Sequence, residues 1–231
     1  DILDLINKHA AQKNRIIRLS EHQNGEKFAP CSVRAFGGRV RAFVKIEDGC
    51  DRFCSYCIIP KSRGRVRSKS LEDLKQEVTD LAANGIKEDV LVGINLSAYG
   101  KGTDYNIADA VETCAGVDGI SRIRLGSLEP DHITDSIISR LSTVHKFCPQ
   151  FHISLQSGCN KTLKNMNRHY TAKEYEELCN KLRAAFKDCS LTTDVMVGFH
   201  EETEQDFEES LAFVKRIRFE KVHVFPYSER T

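Results

Sequence analysis

From residue 40 onward, short apolar runs alternate with longer stretches in which apolar residues recur every three or four positions. The runs Val40–Ile46, Asp89–Ile94, Arg122–Leu125, Phe151–Leu155, Leu191–Val197 and Val222–Phe225 predict six strands. Three of the intervening stretches announce their starts. Ser70-Leu-Glu-Asp73 leads into Leu71, Leu74, Val78 and Leu81, and Thr171-Ala-Lys-Glu174 into Tyr175, Leu178, Leu182 and Phe186. Thr203-Glu-Gln-Asp206 leads into Phe207, Leu211 and Val214. In each, a hydroxyl can accept a backbone N–H three residues on while the acid reaches back, the signature of a capped helix start. Weaker helical patterns cover Ile107–Cys114 and Ile133–Leu141. Six strands alternating with five helices predict an α/β fold on a parallel sheet, either open and doubly wound or curled into a partial barrel. Eight units close a barrel; six leave it open on one side.

The N-terminal part differs. Ile2, Leu5 and Ile6 share one helical face in DILDLINKHAAQKN, and residues 20–38 are polar and broken by Gly and Pro, as a linker is. The division expected is residues 1–36 as the remnant of a preceding domain with its linker, and residues 37–231 as the core domain. The abrupt start, and an end directly after the sixth strand, read as truncations. No apolar run approaches the roughly 18 residues of a membrane helix, and no signal-peptide pattern opens the chain, so the expectation is a cytoplasmic protein without a membrane span.

Net charge is +1, but its distribution is uneven. Residues 1–70 hold 15 Lys and Arg against 7 Asp and Glu, and the remainder 19 against 26. A basic first third suits a polyanion such as nucleic acid; a solvated basic face is the plainer alternative. Of the 9 cysteines, Cys50, Cys54 and Cys57 fall together in Cys-Asp-Arg-Phe-Cys-Ser-Tyr-Cys, directly after the first strand. The other six are scattered like ordinary small core residues. Three thiolates on one loop can grip three irons of a 4Fe–4S cube, leaving one iron open. Zinc is the alternative, although it would take a fourth Cys or His that the loop does not supply.

Read together with VKIEDGCDRFCSYCIIPKSRG, VLVGINLSAYG, RLGSLEP, FHISLQSGCNKTLKNMNRHYT and TTDVMVGF, the cysteine run resembles the radical S-adenosylmethionine methylthiotransferases. It is most similar to the branch acting on N6-threonylcarbamoyladenosine of tRNA, and the resemblance runs from about residue 31 to the end. It implies a partial (βα)6 barrel with an open six-stranded parallel sheet. It also implies an enzyme that adds a methylthio group to C2 of that base, next to the anticodon. Adenine C2–H is neither acidic nor easily attacked, so a 5′-deoxyadenosyl radical formed from S-adenosylmethionine at a 4Fe–4S cluster suits it. Related substrates, isopentenyladenosine in tRNA or an aspartate of a ribosomal protein, belong to the same family. A zinc-dependent RNA-binding module is the reading from another class.

The resemblance implies roles by position. Cys50, Cys54 and Cys57 carry the cluster, and the Tyr56 backbone lies against the cofactor adenine. Asn95, Ser127, Glu129, Gln156, Arg168, Asp194 and Gly198 are cofactor-site candidates at strand ends. Beyond the loop, Lys61, Arg63, Arg65, Arg67 and Lys69 alternate with small residues; on an extended segment they would share one side and face a phosphate backbone. Arg63, Arg65, Arg67 and Lys69 are the RNA-binding candidates, for an unstacked anticodon loop. An external electron donor is implied as a partner. The family also carries an N-terminal domain with a second cluster and a C-terminal RNA-binding β-barrel; only Cys31 precedes the motif here, and one cysteine cannot hold a cluster. Where the family has Gly-Phe-Pro-Gly-Glu-Thr, this chain has Gly198-Phe-His200-Glu201-Glu-Thr203, which predicts a moved loop. His132, His145, His152, His169 and His223 form no metal spacing and read as structural or surface. Gly100-Lys-Gly102 reads as an ordinary turn.

Overall fold

The computed structural model describes residues 2–18, 22, 25–29 and 38–229. Cys31 and most of the expected linker lie outside them. Helix α1 (Ile2–Gln12) buries none of its side chains. Then come β1 (Arg41–Lys45), β2 (Glu47–Asp48), α2 (Ile59–Arg63), β3 (Arg67–Ser68), α3 (Leu71–Ala83) and β4 (Glu88–Val92). A 3-10 turn at Leu96–Ala98 leads to α4 (Ile107–Ala115), β5 (Arg122–Leu125) and β6 (Ser127–Leu128). After a second 3-10 turn, Pro130–His132, follow α5 (Asp135–Ser142), β7 (Gln150–Ile153), α6 (Asn160–Asn165), α7 (Ala172–Ala185), β8 (Ser190–Val197), α8 (Glu204–Ile217) and β9 (Lys221–Pro226).

All six expected strands form, and every pair among them is parallel. Their order is β1-β4-β5 in one sheet and β6-β7-β8-β9 in the next. The third strand departs from expectation: it breaks at Gly126 into β5 and β6. Gly126 N–H donates to Leu91 O across the sheet (2.8 Å), and a single parallel bridge, Ile123 to Phe147, carries the pairing onward. Among the described residues no ladder joins β9 to β1, so the sheet stays open.

The caps follow the sequence. Ser70 accepts from Asp73 N, while Thr171 with Glu174 and Thr203 with Asp206 form full capping boxes. Asn106 with Asp109 adds another, and Thr134 starts α5 at Asp135, two residues later than the apolar pattern suggested. Helices α3, α4, α5, α7 and α8 pack side by side in chain order on one face of the sheet. Alternate strand residues, among them Ala42, Val44, Ile123, Phe151, Ile153, Leu191 and Val195, are buried beneath them. The other, concave face carries Arg41, Glu88, Arg122, His152, Thr192 and Asp194 by register. The apolar alternates thus fix the helix layer, and the polar alternates are left to line a cavity.

Candidate cluster and cofactor site

The cysteine loop is held from both sides. Gly49 opens it at φ +86, and a Cβ there would sit 2.0 Å from the Arg65 carbonyl oxygen, so only glycine fits. Cys50 N–H donates to Gly64 O (3.0 Å) and Ser55 N–H to Met166 O (3.1 Å). Asn167 Nδ2 donates to Phe53 O at 2.9 Å, and Ser55 Oγ to Asn165 O at 2.9 Å. Phe53 and Asn167 both adopt positive φ. Short helix α6, which the apolar periodicity did not reveal, is therefore the clamp on the loop.

Cys50, Cys54 and Cys57 are half-buried free thiols. Burial pushes the Cys50 thiol up to about 11, so it stays protonated at neutral pH unless a cation takes the proton's place. Arg168 Nη1 lies 3.3 Å from Cys54 Sγ, and the guanidinium is held by Glu129, by the Ser154 carbonyl (3.3 Å) and by Tyr170 Oη (3.0 Å). Among the described residues no three His, Cys, Asp or Glu side chains converge on a point fit for one metal ion, the three cysteines included. A cube makes no such demand, because each thiolate takes a different iron. A soft all-sulfur donor set beside a buried cation fits an anionic iron–sulfur cluster.

Neighbouring strand ends offer acceptors without donors. Asn95 follows β4 and is 4% exposed; its N–H donates to Glu47 (2.7 Å), but its Oδ1 has no partner. Gln156, 8% exposed, stands at φ +67 after β7, with its Oε1 equally unpartnered. Such orphans cost about 1–3 kcal/mol each unless a ligand supplies N–H or O–H groups, and the amino acid and ribose parts of S-adenosylmethionine carry both. Tyr56 packs edge-on against Phe199 (6.2 Å between centroids) in a small core with Met166, Met196 and Tyr227. Ser127 is exposed on the concave face opposite His152.

Two candidates stand differently from expectation. Asp194 is drawn between His152 (Nε2 at 3.1 Å) and His223 (Nδ1 at 3.7 Å), so its carboxylate is already engaged. Gly198 adopts φ +70 with nothing within 4 Å of a Cβ, so it serves the turn, and no close approach crowds it.

The basic segment needs a larger correction. It is not an extended row. Residues 59–63 are helical, Gly64 turns at φ +73, and only Arg67–Ser68 pair as a strand, antiparallel to Glu47–Asp48. Lys69 is 4% exposed and ion-paired with buried Glu77. Arg67, with a side chain 10% exposed, donates inward to the Arg63 and Arg65 carbonyls. Arg63 makes a two-pronged pair with Asp48 (3.0 Å each), and Arg65 reaches Asp51 (3.3 Å) while covering Phe53; both remain exposed. Only Arg63 and Arg65 of the four candidates face solvent beside the loop.

The sequence pattern gave no sign of a cleft of about 170 Å³ between Asp51, Arg52, Asn95, Lys101, His132 and His169. Lys101 pairs with Asp51 (2.6 Å), and Arg52 bridges His169 (2.9 Å) and Asp131. The Gly100 turn that carries Lys101 is tightly built: a Cβ on Gly100 would lie 2.0 Å from Tyr105 O. Lone histidines and a short Gly-Lys-Gly give no pattern to read, since it is the cysteine loop that brings them together.

Residues 44–214 match the family model of the radical SAM superfamily. The chain is 39% identical over its whole length to the threonylcarbamoyladenosine tRNA methylthiotransferase of Bacillus subtilis, covering 51% of that protein. It is 41% identical, over 83% of the chain and 42% of the relative, to a tRNA-2-methylthio-N(6)-dimethylallyladenosine synthase of Clostridium botulinum. The chain thus spans about half the length of the curated relatives it matches. Among solved structures, the radical S-adenosylmethionine methyltransferase TsrM of Kitasatospora setae superposes with TM-score 0.66 at 15% identity, over 80% of this chain and 36% of that one. The coproporphyrinogen III oxidase of Escherichia coli does so with TM-score 0.58 at 16% identity, over 81% of this chain and 44% of that one. These share the fold. With the family model covering most of the strands and all three cysteines, the zinc-module reading falls away, and the chain belongs to the radical SAM superfamily.

Proposed function

We propose that this chain is the catalytic core of a tRNA methylthiotransferase acting on N6-threonylcarbamoyladenosine, with residues 37–231 as its radical SAM domain. The observation that carries the reading is the loop of three free thiols at the C-terminal strand ends, beside buried acceptors that lack donors. The substrate is read from the similarity of the whole chain to the Bacillus subtilis enzyme, of which it spans about half. Cys50, Cys54 and Cys57 hold a 4Fe–4S cluster, and Asn95, Gln156 and the Tyr56 backbone hold S-adenosylmethionine. Once bound, the pair supplies a 5′-deoxyadenosyl radical that removes a hydrogen atom where no base or nucleophile can act.

The protein's own part is to bind, orient and exclude water. Arg168, anchored by Glu129 and Tyr170, sets a fixed positive charge beside Cys54 and balances the cluster's negative charge without needing to move. Asn95 and Gln156 sit on strand ends fixed by backbone bonds, so their acceptors are pre-aimed. Arg63 and Arg65, at the rim, meet the tRNA backbone.

The test is anaerobic reconstitution with iron and sulfide, then reduction with dithionite. Wild-type protein is expected to turn brown and to form 5′-deoxyadenosine from S-adenosylmethionine. Replacing Cys50, Cys54 and Cys57 together with Ala should abolish iron binding while circular dichroism keeps the helix signal. Stoichiometric iron in the triple variant would refute the ligand assignment. In the full-length protein, nucleoside mass spectrometry should find 2-methylthio-N6-threonylcarbamoyladenosine.

A further inference from the structure

We infer that the concave sheet face carries a subsite for the acidic substituent of the substrate base, with His223 as its specificity-determining residue. The inference rests on the reading that the substrate is an N6-modified adenosine. Relatives of equal similarity are named for two such bases, threonylcarbamoyladenosine and dimethylallyladenosine. Sequence identity does not separate them. Their chemistry does: one substituent ends in a carboxylate and a hydroxyl, the other is a hydrocarbon.

Register places Ser127, His152, Thr192 and Lys221 in one row across β6, β7, β8 and β9, with Asp194 opposite His223 one step toward the rim. The row is joined by polar contacts. Thr192 Oγ1 meets His152 Nδ1 at 3.0 Å, His152 Nε2 meets Asp194 Oδ2 at 3.1 Å, and His223 Nδ1 lies 3.7 Å from Asp194 Oδ1. Both nitrogens of His152 are used. His223, its side chain 53% exposed, has no partner on Nε2 among the described residues, so the chain of contacts ends in one open ring nitrogen. The row lies just beneath the proposed cofactor acceptors, since Gln156 N–H donates to the Asp194 carbonyl at 2.9 Å.

The cations of this face lie mostly toward the strand starts. On the same face Arg41, Arg122 and Arg124 all bind the single carboxylate of Glu88, at 2.7, 2.7 and 2.9 Å. Within the row itself the cation is Lys221, two residues before His223 on β9. A substrate carboxylate or hydroxyl at His223 Nε2 would give that open nitrogen a hydrogen-bond partner while Nδ1 stays beside Asp194. A dimethylallyl group in that place would strip water from Asp194 and His223 and return no hydrogen bond. A site built to hydrogen-bond a polar substituent discriminates strongly against the analogue that lacks it.

The experiment measures equilibrium binding of the two free nucleosides, N6-threonylcarbamoyladenosine and N6-dimethylallyladenosine, to wild-type protein, His223→Ser and His223→Gln, with circular dichroism as the check on folding. Wild type is expected to prefer the acidic nucleoside at least tenfold. His223→Ser should remove most of that preference by weakening only the acidic nucleoside, and His223→Gln, which keeps a side-chain donor of similar reach, should fall between. No preference in wild type, or an unchanged preference in both folded variants, overturns the inference. In the full-length protein, a methylthio product confined to dimethylallyladenosine would overturn this inference and the substrate reading together. A product on threonylcarbamoyladenosine that His223→Ser leaves unchanged would overturn this inference alone.

Discussion

Gln156 combines two unfavourable features, a left-handed backbone and a buried oxygen without a partner. The first costs about 1–2 kcal/mol for a residue with a side chain, the second about 1–3 kcal/mol. The backbone holds it there by bonding to β8 on both sides, N–H to Asp194 O and O from Met196 N–H, each at 2.9 Å. Strain of this kind clusters at ligand-binding positions, which is where the proposed function puts Gln156. Gln156→Gly is therefore expected to raise the stability of ligand-free protein by at least about 1 kcal/mol in urea titration and to weaken S-adenosylmethionine binding at least tenfold. A variant that binds the cofactor as before would remove Gln156 from the site. Asp89 is buried for no such purpose. On the helix-facing side of β4, it is 0% exposed with both oxygens unpartnered, and burial, then the Glu77 charge, raises it to about 7. Its folded value lies above the unfolded 3.8, so the folded state binds more protons between the two. Stability from this group falls as pH rises from about 4 to 7 and is level above. Asp89→Asn should remove that fall, a difference on the order of 3 kcal/mol between pH 4 and pH 8 relative to wild type. Equal pH slopes for the two proteins would show that Asp89 is ionised in the fold.

At the scale of elements, the loop after β8 shows how His200-Glu201 is accommodated in this chain. Glu201, which stands where the family motif has glycine, adopts φ +61. Glu202 still accepts from Gly198 N–H, and Thr203 still caps α8, so neighbours on both sides impose the turn. Glu201→Gly should thus stabilise by about 0.5–1 kcal/mol, the left-handed cost less the glycine entropy, and raise the melting temperature by a few degrees. A lower melting temperature would show that the Glu201 side chain matters more than its backbone. Gly49→Ala is the opposite case. Its Cβ would collide with the Arg65 carbonyl, so the cysteine loop must move, and iron retained after reconstitution should drop severalfold with the sheet intact by circular dichroism. What the sequence revealed at this scale was local: six apolar runs and three capped starts, because periodicity and capping act within a few residues. Helices α2 and α6 are too short to show a periodic face. The break at Gly126 answers to a carbonyl on a neighbouring strand, and the His152–Asp194–His223 row to register between strands far apart in the chain.

Over the whole molecule, charge is arranged rather than abundant. Net charge is +1, yet the first 70 residues are strongly basic, and the structure divides the four candidate cations beside the loop into two kinds. Arg67 and Lys69 serve the fold: Lys69 joins Glu77 in the interior, and a buried pair deprived of one partner leaves the other uncompensated, typically at 3–5 kcal/mol. No run of alternating Arg and Lys discloses that division, because the partner of each cation is set by tertiary structure. Arg63 and Arg65 have side chains 44% and 60% exposed and sit in pairs with Asp48 and Asp51 that are worth little in water. They can therefore exchange a carboxylate for a phosphate at small cost. Measured on an anticodon stem-loop, Arg63→Gln with Arg65→Gln is expected to weaken binding and to flatten the slope of log affinity against log salt by about 1.4, roughly 0.7 for each single-strand phosphate that is no longer neutralised. Lys69→Gln should instead lower the melting temperature and leave the salt slope of the folded fraction unchanged. Equal slopes for wild type and the double arginine variant would place the RNA on another face, and a slope flattened by Lys69→Gln would show that the buried pair opens when RNA binds.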